Sequence, residues 1–305
     1  MAEFKFACAQ CGQHIQCDTS YAGMQIDCPV CQQSIVVPPP PRAAADAVTS
    51  AAVPTSAKKS RMLKNILLVI AAVFVLAALI IGGWFGYSKI RIHKLPPGLV
   101  ALWPGEGNAK DSLNGHNATV SSGMTYTPAK IGMGFNFVGP NDTISVPAST
   151  ALDVGNGAGY TLACWIAPVS VAVQEPLIEW SQGAHLWISV NYAGVGGEGC
   201  IYANIIDTHG GYHIFASPTG IVHPNTLQYV SLTYDKVSGL GKIYYNGSLV
   251  ASSNLGNFTP KTDTALLIGQ RIDGDFHYEG IVDEISLYNR ALADSEIQKI
   301  YAAQK

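Results

Sequence analysis

The chain has 305 residues, with 18 Lys and Arg against 21 Asp and Glu and a formal net charge of −3. So near-neutral a chain, only 13% charged, excludes nucleic-acid binding through a basic surface, and its 48% hydrophobic content excludes global disorder. The averages conceal four blocks of different composition.

Residues 1–36 hold five of the seven cysteines. Cys8 with Cys11 and Cys28 with Cys31 form two CxxC knuckles separated by 16 residues. Four thiolates on two such turns close tetrahedrally around Zn2+, and so short a segment has too little core to fold without help from the metal. Two disulfides or a redox CxxC are the competing readings. His14 and Cys17 lie between the knuckles, where Cys17 reads as a small buried side chain of a hairpin. Short strands are expected at Gly12–Gln16 and Tyr21–Ile26. The stretch resembles the zinc-ribbon modules found at the N-termini of bacterial proteins, which implies one structural zinc on the four cysteines. Lys5 is its only cation beside Glu3, Asp18 and Asp27, so a cytoplasmic protein partner is expected rather than nucleic acid.

Residues 37–61 are rich in Ala, Pro, Ser and Thr and read as an extended linker. Residues 62–88 read as a membrane-spanning helix, built on the uncharged run Ile66–Tyr87. At 1.5 Å per residue such a run spans about 33 Å, the thickness of a bilayer core. Lys58, Lys59, Arg61 and Lys64 precede it, Lys89, Arg91 and Lys94 follow it, and Trp84 and Tyr87 suit the interface. The flanking charges barely decide orientation. Thiolate-bound zinc favours a reducing compartment, which places the N-terminal segment in the cytoplasm and the C-terminal domain outside a bacterial cytoplasmic membrane.

Residues 95–305 carry nine Lys and Arg against seventeen Asp and Glu. Short apolar runs recur between Gly, Asn, Ser and Thr clusters, as in an all-β sandwich. They lie at Tyr160–Ile166, His185–Val190, Leu227–Tyr234, Lys242–Asn246, Ala265–Ile268 and Ile281–Tyr288. Asn246-Gly247 supplies the positive φ angles of a two-residue hairpin. Ile297, Ile300 and Tyr301 follow Asp294 at helical spacing, with Asp294 as the expected cap of a helix over Ala293–Ala303. Strict alternation along Ile281–Tyr288 places Asp283 and Glu284 on opposite faces of that strand.

The closing segment Gly280-Ile-Val-Asp283-Glu284-Ile-Ser-Leu-Tyr-Asn-Arg-Ala-Leu292, the hairpin Lys242-Ile-Tyr-Tyr-Asn246-Gly247 and the opening Leu99-Val-Ala-Leu-Trp103 resemble the laminin-G-like, concanavalin-A-like family. Gln228-Tyr229 stands where that family often has Trp, and Ser112-Leu113 where its opening turn has Ser-Gly. The resemblance covers about residues 98–303. It implies a mainly-β jelly-roll sandwich, a structural Ca2+ between Asp111 and Asp283, and a binding or adhesion role toward a glycan or surface protein. Asn108 and the turn Asp273-Gly-Asp275 are further acidic or carbonyl-bearing loops of the same kind, and the competing reading of all these acids is as ordinary turn and strand-end residues. Cys164 and Cys200 either pair in an oxidising exterior or remain two core thiols.

No HExxH, GxSxG, P-loop or dinucleotide fingerprint is present, so the chain is expected not to be an enzyme. Glu175 and Glu179 flank Pro176 in what reads as a loop, and they are the carboxylates a divergent glycosidase would need. The loop residues Trp187, Tyr192, His209, Tyr212 and His213 are candidates for stacking on a sugar, although the sequence names no ligand residue firmly. A structural or assembly protein without a small ligand is the alternative function.

Overall fold

The computed structural model describes residues 3–39, 95–113 and 115–305. These residues fall into two compact units, one at the N-terminus and one from residue 95 onward. Most of the linker and the whole span expected at 62–88 lie outside the described residues. Among the described residues no helix is long and apolar enough to cross a membrane.

The N-terminal unit is two hairpins, Glu3–Ala7 with His14–Asp18 and Gln25–Asp27 with Ser34–Val36. Each hairpin carries one CxxC in its turn; the inner strands lie between the knuckles and overlap the expected Gly12–Gln16 and Tyr21–Ile26, while the outer strands Glu3–Ala7 and Ser34–Val36 are additional. Tyr21 belongs to a 3-10 turn, Thr19–Tyr21, whose start is capped by the Asp18 carboxylate accepting from the Ser20 N–H. Cys8, Ile15 and Cys28 are its buried centre.

The C-terminal unit is a sandwich of two antiparallel sheets and one helix. One sheet has eight strands. From one edge they run Ser248–Asn254, Leu240–Tyr245, Gln228–Asp235, Gly159–Pro168, Gly280–Tyr288, Met133–Phe137 and Thr125–Pro128, and Leu99–Trp103 also pairs with Gly280–Tyr288. The other sheet has seven: Ile214–Ala216, Ile201–Asn204, His185–Ile188, Glu175–Trp180, Leu266–Ile268, Ile144–Val146 and Thr119–Val120. Trp103, Phe135, Tyr160, Leu162, Trp180, Leu186 and Ile285 meet between them in one continuous core. The jelly-roll expectation is borne out.

The outer face of the eight-stranded sheet is covered by helix α1, Asp294–Gln304. Ile297 and Ile300 pack there on Trp165, Tyr229, Tyr244 and Tyr288. Tyr301 stacks on Trp165 with ring centroids 5.6 Å apart, and the Trp165 Nε1–H donates to Gln304 Oε1 at 2.8 Å. The expected cap is shifted by one residue. Ala293 holds the N-cap position, its N–H donates to Glu296 Oε2, and Asp294 instead accepts from Lys242 and Tyr244. The Asn246-Gly247 turn forms as expected, with φ of 49° and 79°, and a Cβ on Gly247 would sit 2.8 Å from Tyr301.

Two β-bulges break the alternation that the sequence suggests. One lies at Glu284, whose φ is +55°, where the pairing of Gly280–Tyr288 with Gly159–Pro168 shifts register. Asp283 lies opposite Trp165, on the helix-covered side, and Glu284 reaches Gln304 of α1. Both acids therefore turn to one side rather than to opposite faces. The extra residue keeps Val282, Ile285 and Leu287 in the sandwich core.

Removing buried methyl groups under α1 is expected to be costly. Ile297→Ala should lower the unfolding free energy of the sandwich by about 2–5 kcal/mol, read from a chemical denaturation midpoint at unchanged slope.

Candidate functional site

Two constellations carry chemistry. In the N-terminal unit the knuckles are near copies of each other. The Cys8 N–H donates to Gln13 O and the Gly12 N–H to Cys8 O, while the Cys28 N–H donates to Gln33 O and the Gln32 N–H to Cys28 O. Each turn needs one left-handed residue, supplied by Gly12 in one and Gln32 in the other. The four Sγ atoms of Cys8, Cys11, Cys28 and Cys31 lie within 4.8 Å of one another, with Cys8–Cys31 at 3.9 Å and Cys11–Cys28 at 3.6 Å. Tetrahedral zinc with Zn–S bonds of about 2.3 Å requires sulfurs about 3.8 Å apart, so the donor set fits that ion. Backbone N–H groups of Cys31 and Val30 draw the Cys28 thiol down to about 6, toward the thiolate that a metal takes. His14 and Cys17 are not members of this cluster.

The second constellation is the outer face of the seven-stranded sheet. Strand His185–Ile188 sends Leu186 and Ile188 into the core and turns His185 and Trp187 outward. Across the ladders, Glu179 lies opposite His185 and Tyr202 opposite Trp187. The Trp187 Nε1–H donates to Glu179 Oε2 at 3.0 Å, and the His185 ring stacks over Tyr202. A hairpin between Gly269 and Glu279 then folds across this surface, closed by the Tyr278 N–H to Gly269 O and the Arg271 N–H to Phe276 O. It sets Phe276 against Trp187 at 5.3 Å and the Arg271 guanidinium carbon 5.5 Å from the centre of the same indole. Tyr192 and Tyr212 stand exposed nearby, and burial first, then Tyr192, Cys200 and Tyr212, together push the Tyr202 hydroxyl up to about 12.

Burial governs the electrostatics of this face. It pushes the Glu179 carboxyl up, against the Trp187 hydrogen bond and the Arg271 charge. It pushes the His185 imidazole down to about 4, so the ring is neutral, with Nδ1 3.1 Å from Gly183 O.

Glu175 and Glu179 both lie within the strand Glu175–Trp180 and not on a loop, and both are buried. A bulge between Pro176 and Ile178 separates them. Pro176 and Glu179 pair with Trp187 and His185 of the outer face, whereas Glu175 pairs with Ile188 of the core. Two carboxyls on opposite faces of one sheet do not flank one glycosidic bond.

Of the loop aromatics singled out from sequence, Tyr192 and Tyr212 are exposed, and Trp187 sits in a strand, nearly covered. His213 stacks on Phe258 at 3.6 Å with Nε2 3.0 Å from Asp207, and the His209 N–H donates to the same carboxylate, so both histidines help build their loop. Cys164 and Cys200 are free thiols in separate clusters, Cys164 in the main core and Cys200 beside Trp187, so the disulfide left open by the sequence is not formed. Asp111 accepts from the N–H groups of Leu102, Leu113 and His116, and Asp283 from that of Ile131. These bonds let both acids hold their loops. The Asn108 side chain accepts from the Lys110 N–H, and Asp273 pairs with Arg271 and accepts from the Asp275 N–H. Among the described residues, the four cysteines are the one group of three or more His, Cys, Asp or Glu with ligand atoms gathered for a metal.

A family model described as the concanavalin A-like lectin/glucanases superfamily, Laminin_G_3, matches residues 138–298, just over half of the chain. The chain belongs to that superfamily. No curated protein matches it. Solved structures share the fold at low identity. The binding domain of Paraclostridial Mosquitocidal Protein 1 is 15% identical with a TM-score of 0.56, over 68% of this chain and 52% of that one. Domain 4 of AbnA, a GH43 extracellular arabinanase from Geobacillus stearothermophilus in complex with arabinotriose, is 17% identical at a TM-score of 0.52, over 67% and 98%. The botulinum neurotoxin serotype D ligand-binding domain in complex with N-acetylneuraminic acid is 19% identical at 0.53, over 70% and 53%. The chain thus spans about half the length of the toxin domains it resembles.

Glu175 supplies a pH test. Desolvation raises its carboxyl from 4.5 to about 8, and Oε2 meets no hydrogen-bond partner among the described residues. A raised acid pKa contributes stability that is complete below the unfolded value and is lost as pH climbs through the folded one. Glu175→Gln should therefore match the parent below pH 4.5, melt progressively above it as pH rises from 4.5 to about 8, and keep a constant advantage beyond that, as followed by thermal denaturation across that range.

Proposed function

We propose that this superfamily member is a single-pass membrane protein whose C-terminal sandwich binds glycans outside the cytoplasm, with a zinc-stabilised ribbon on the cytoplasmic side. The observation that carries the binding function is the outer face of the seven-stranded sheet. It gathers Trp187, Tyr202 and Phe276 with Glu179, His185 and Arg271, and leaves Tyr192 and Tyr212 exposed beside them. Trp187 and Tyr202 are nearly covered and form the base of this face, so the exposed Tyr192 and Tyr212 are the rings that can stack on sugar C–H surfaces, with polar groups fixing orientation by hydrogen bonding. The opposed placement of Glu175 and Glu179 favours binding over hydrolysis. The toxin and arabinanase domains of similar fold, two of them seen with sugars bound, support the same reading by analogy.

The membrane reading rests on the uncharged run Ile66–Tyr87 with cations at both ends. The four cysteines would hold the zinc as structural ligands, since a fourfold thiolate set leaves no position open for a substrate. Such a ribbon presents a small, rigid surface suited to a cytoplasmic protein partner.

Two experiments test this. The detergent-solubilised full chain is expected to retain a defined set of glycans on an array, and Tyr192→Ala with Tyr212→Ala should weaken that retention about tenfold or more while leaving the melting temperature in place. Retention of no glycan, or retention indifferent to these residues, would count against the glycan function. Separately, the full chain should sediment with membranes and carry one zinc per chain, and Cys8→Ser with Cys28→Ser should abolish the zinc without releasing the protein from the membrane. A soluble chain, or one without zinc, would refute the corresponding half of the assignment.

A further inference from the structure

Resting on that glycan reading, we propose that the site selects sugars bearing a carboxylate, such as uronic or sialic acids, and that Arg271 recognises the charge. The Arg271 guanidinium is held from two sides, stacked 5.5 Å over Trp187 and bound through Nε to Asp273 Oδ2 at 2.9 Å. Among the described residues its two terminal nitrogens make no hydrogen bond, and the side chain is 43% exposed. An arginine already fixed in plane with its outer fork open is pre-organised for a bidentate carboxylate, and little rotamer entropy remains to be lost on binding.

Arg271 is the one Lys or Arg of a hairpin that also carries Asp273, Asp275 and Glu279, so it is the group there that can attract an anion. The other cations stacked on rings are Lys130 on Trp165 and Lys305 on Tyr301, both on the eight-stranded sheet's side, which leaves Arg271 as the ring-stacked cation of the aromatic face among the described residues. Asp273 engages the guanidinium through its Nε edge. Glu179 is buried with its Oε2 engaged by the Trp187 Nε1–H. Phe276, part-exposed where it packs on the covered Trp187, is then the apolar contact at hand for the sugar ring that bears the acid.

The test is calorimetric titration of the detergent-solubilised full chain with methyl glucuronide and the methyl glycoside of N-acetylneuraminic acid. Each acid is compared with its own carboxyl methyl ester and with methyl glucoside. At least one acid should bind about tenfold or more tightly than its ester. Arg271→Gln should bring the acid down to the level of the ester without changing the ester, and Arg271→Lys should lose most of the preference because it keeps the charge and not the fork. Which acid shows the preference decides between a uronic and a sialic ligand. Equal affinity for acid and ester overturns the proposal while leaving glycan binding intact, and so does a preference that survives in Arg271→Gln. Binding of no sugar by the parent chain, together with a blank glycan array, overturns both. The comparison of acid with ester on the parent chain stands even should a variant fail to fold.

Discussion

Everything in the sandwich is arranged around one strand that has no solvent side. All ten residues of Gly159–Pro168 are buried, and its neighbours Gln228–Asp235 and Gly280–Tyr288 are nearly as covered. Because successive side chains of a strand point to opposite faces, a fully buried strand demands a layer on each side of its sheet. The seven-stranded sheet provides one layer through Trp180, Leu186 and Ile268, and α1 provides the other through Ile297, Ile300 and Tyr301. The helix is thus the outer half of a second, smaller core. Its bidentate Glu296–Arg290 pair and its Lys242–Asp294 contact tie the ends of that core to the sheet.

This need to cover both faces is also why bulges matter more than composition for where the acids lie. Glu175 and Glu179, four residues apart, would share a face in a regular strand, yet one extra residue near Leu177 sends them to opposite sides. At Glu284 the same device turns two adjacent acids, which a regular strand would separate, to one side. A single unpaired residue in each case decides whether two carboxyls can meet. Bulges leave no mark in hydrophobic patterning, because the strands that carry them are apolar on both faces.

Much of the rest was legible. The strands around Tyr160, Tyr229, Lys242 and Ile281, the Asn246-Gly247 turn and the terminal helix all follow from local chemistry: alternation, positive-φ residues and helical spacing. The cysteine cluster was legible for the same reason, since CxxC spacing is a local constraint on Sγ positions. Its inner strands were found only approximately and its outer ones not at all, because strands of three to five residues around a knuckle carry little pattern of their own. The aromatic face was only half visible. Trp187, Tyr192 and Tyr212 stand out as aromatics, but Glu179, His185, Tyr202, Arg271 and Phe276 are joined to them by ladder register and by a hairpin from far along the chain. Distant pairings of that kind have no sequence signal. The alternation of His185 and Trp187 against Leu186 and Ile188 was the one local hint.

The position of the Gly280–Tyr288 strand has a temporal side as well. It lies in the middle of the eight-stranded sheet, bonded on one flank to Gly159–Pro168 and on the other to Leu99–Trp103 and Met133–Phe137. The earliest strand of the domain therefore waits for nearly the latest one before its own backbone groups are satisfied. Order arrives at once, when the closing segment is available, and not progressively as the chain emerges.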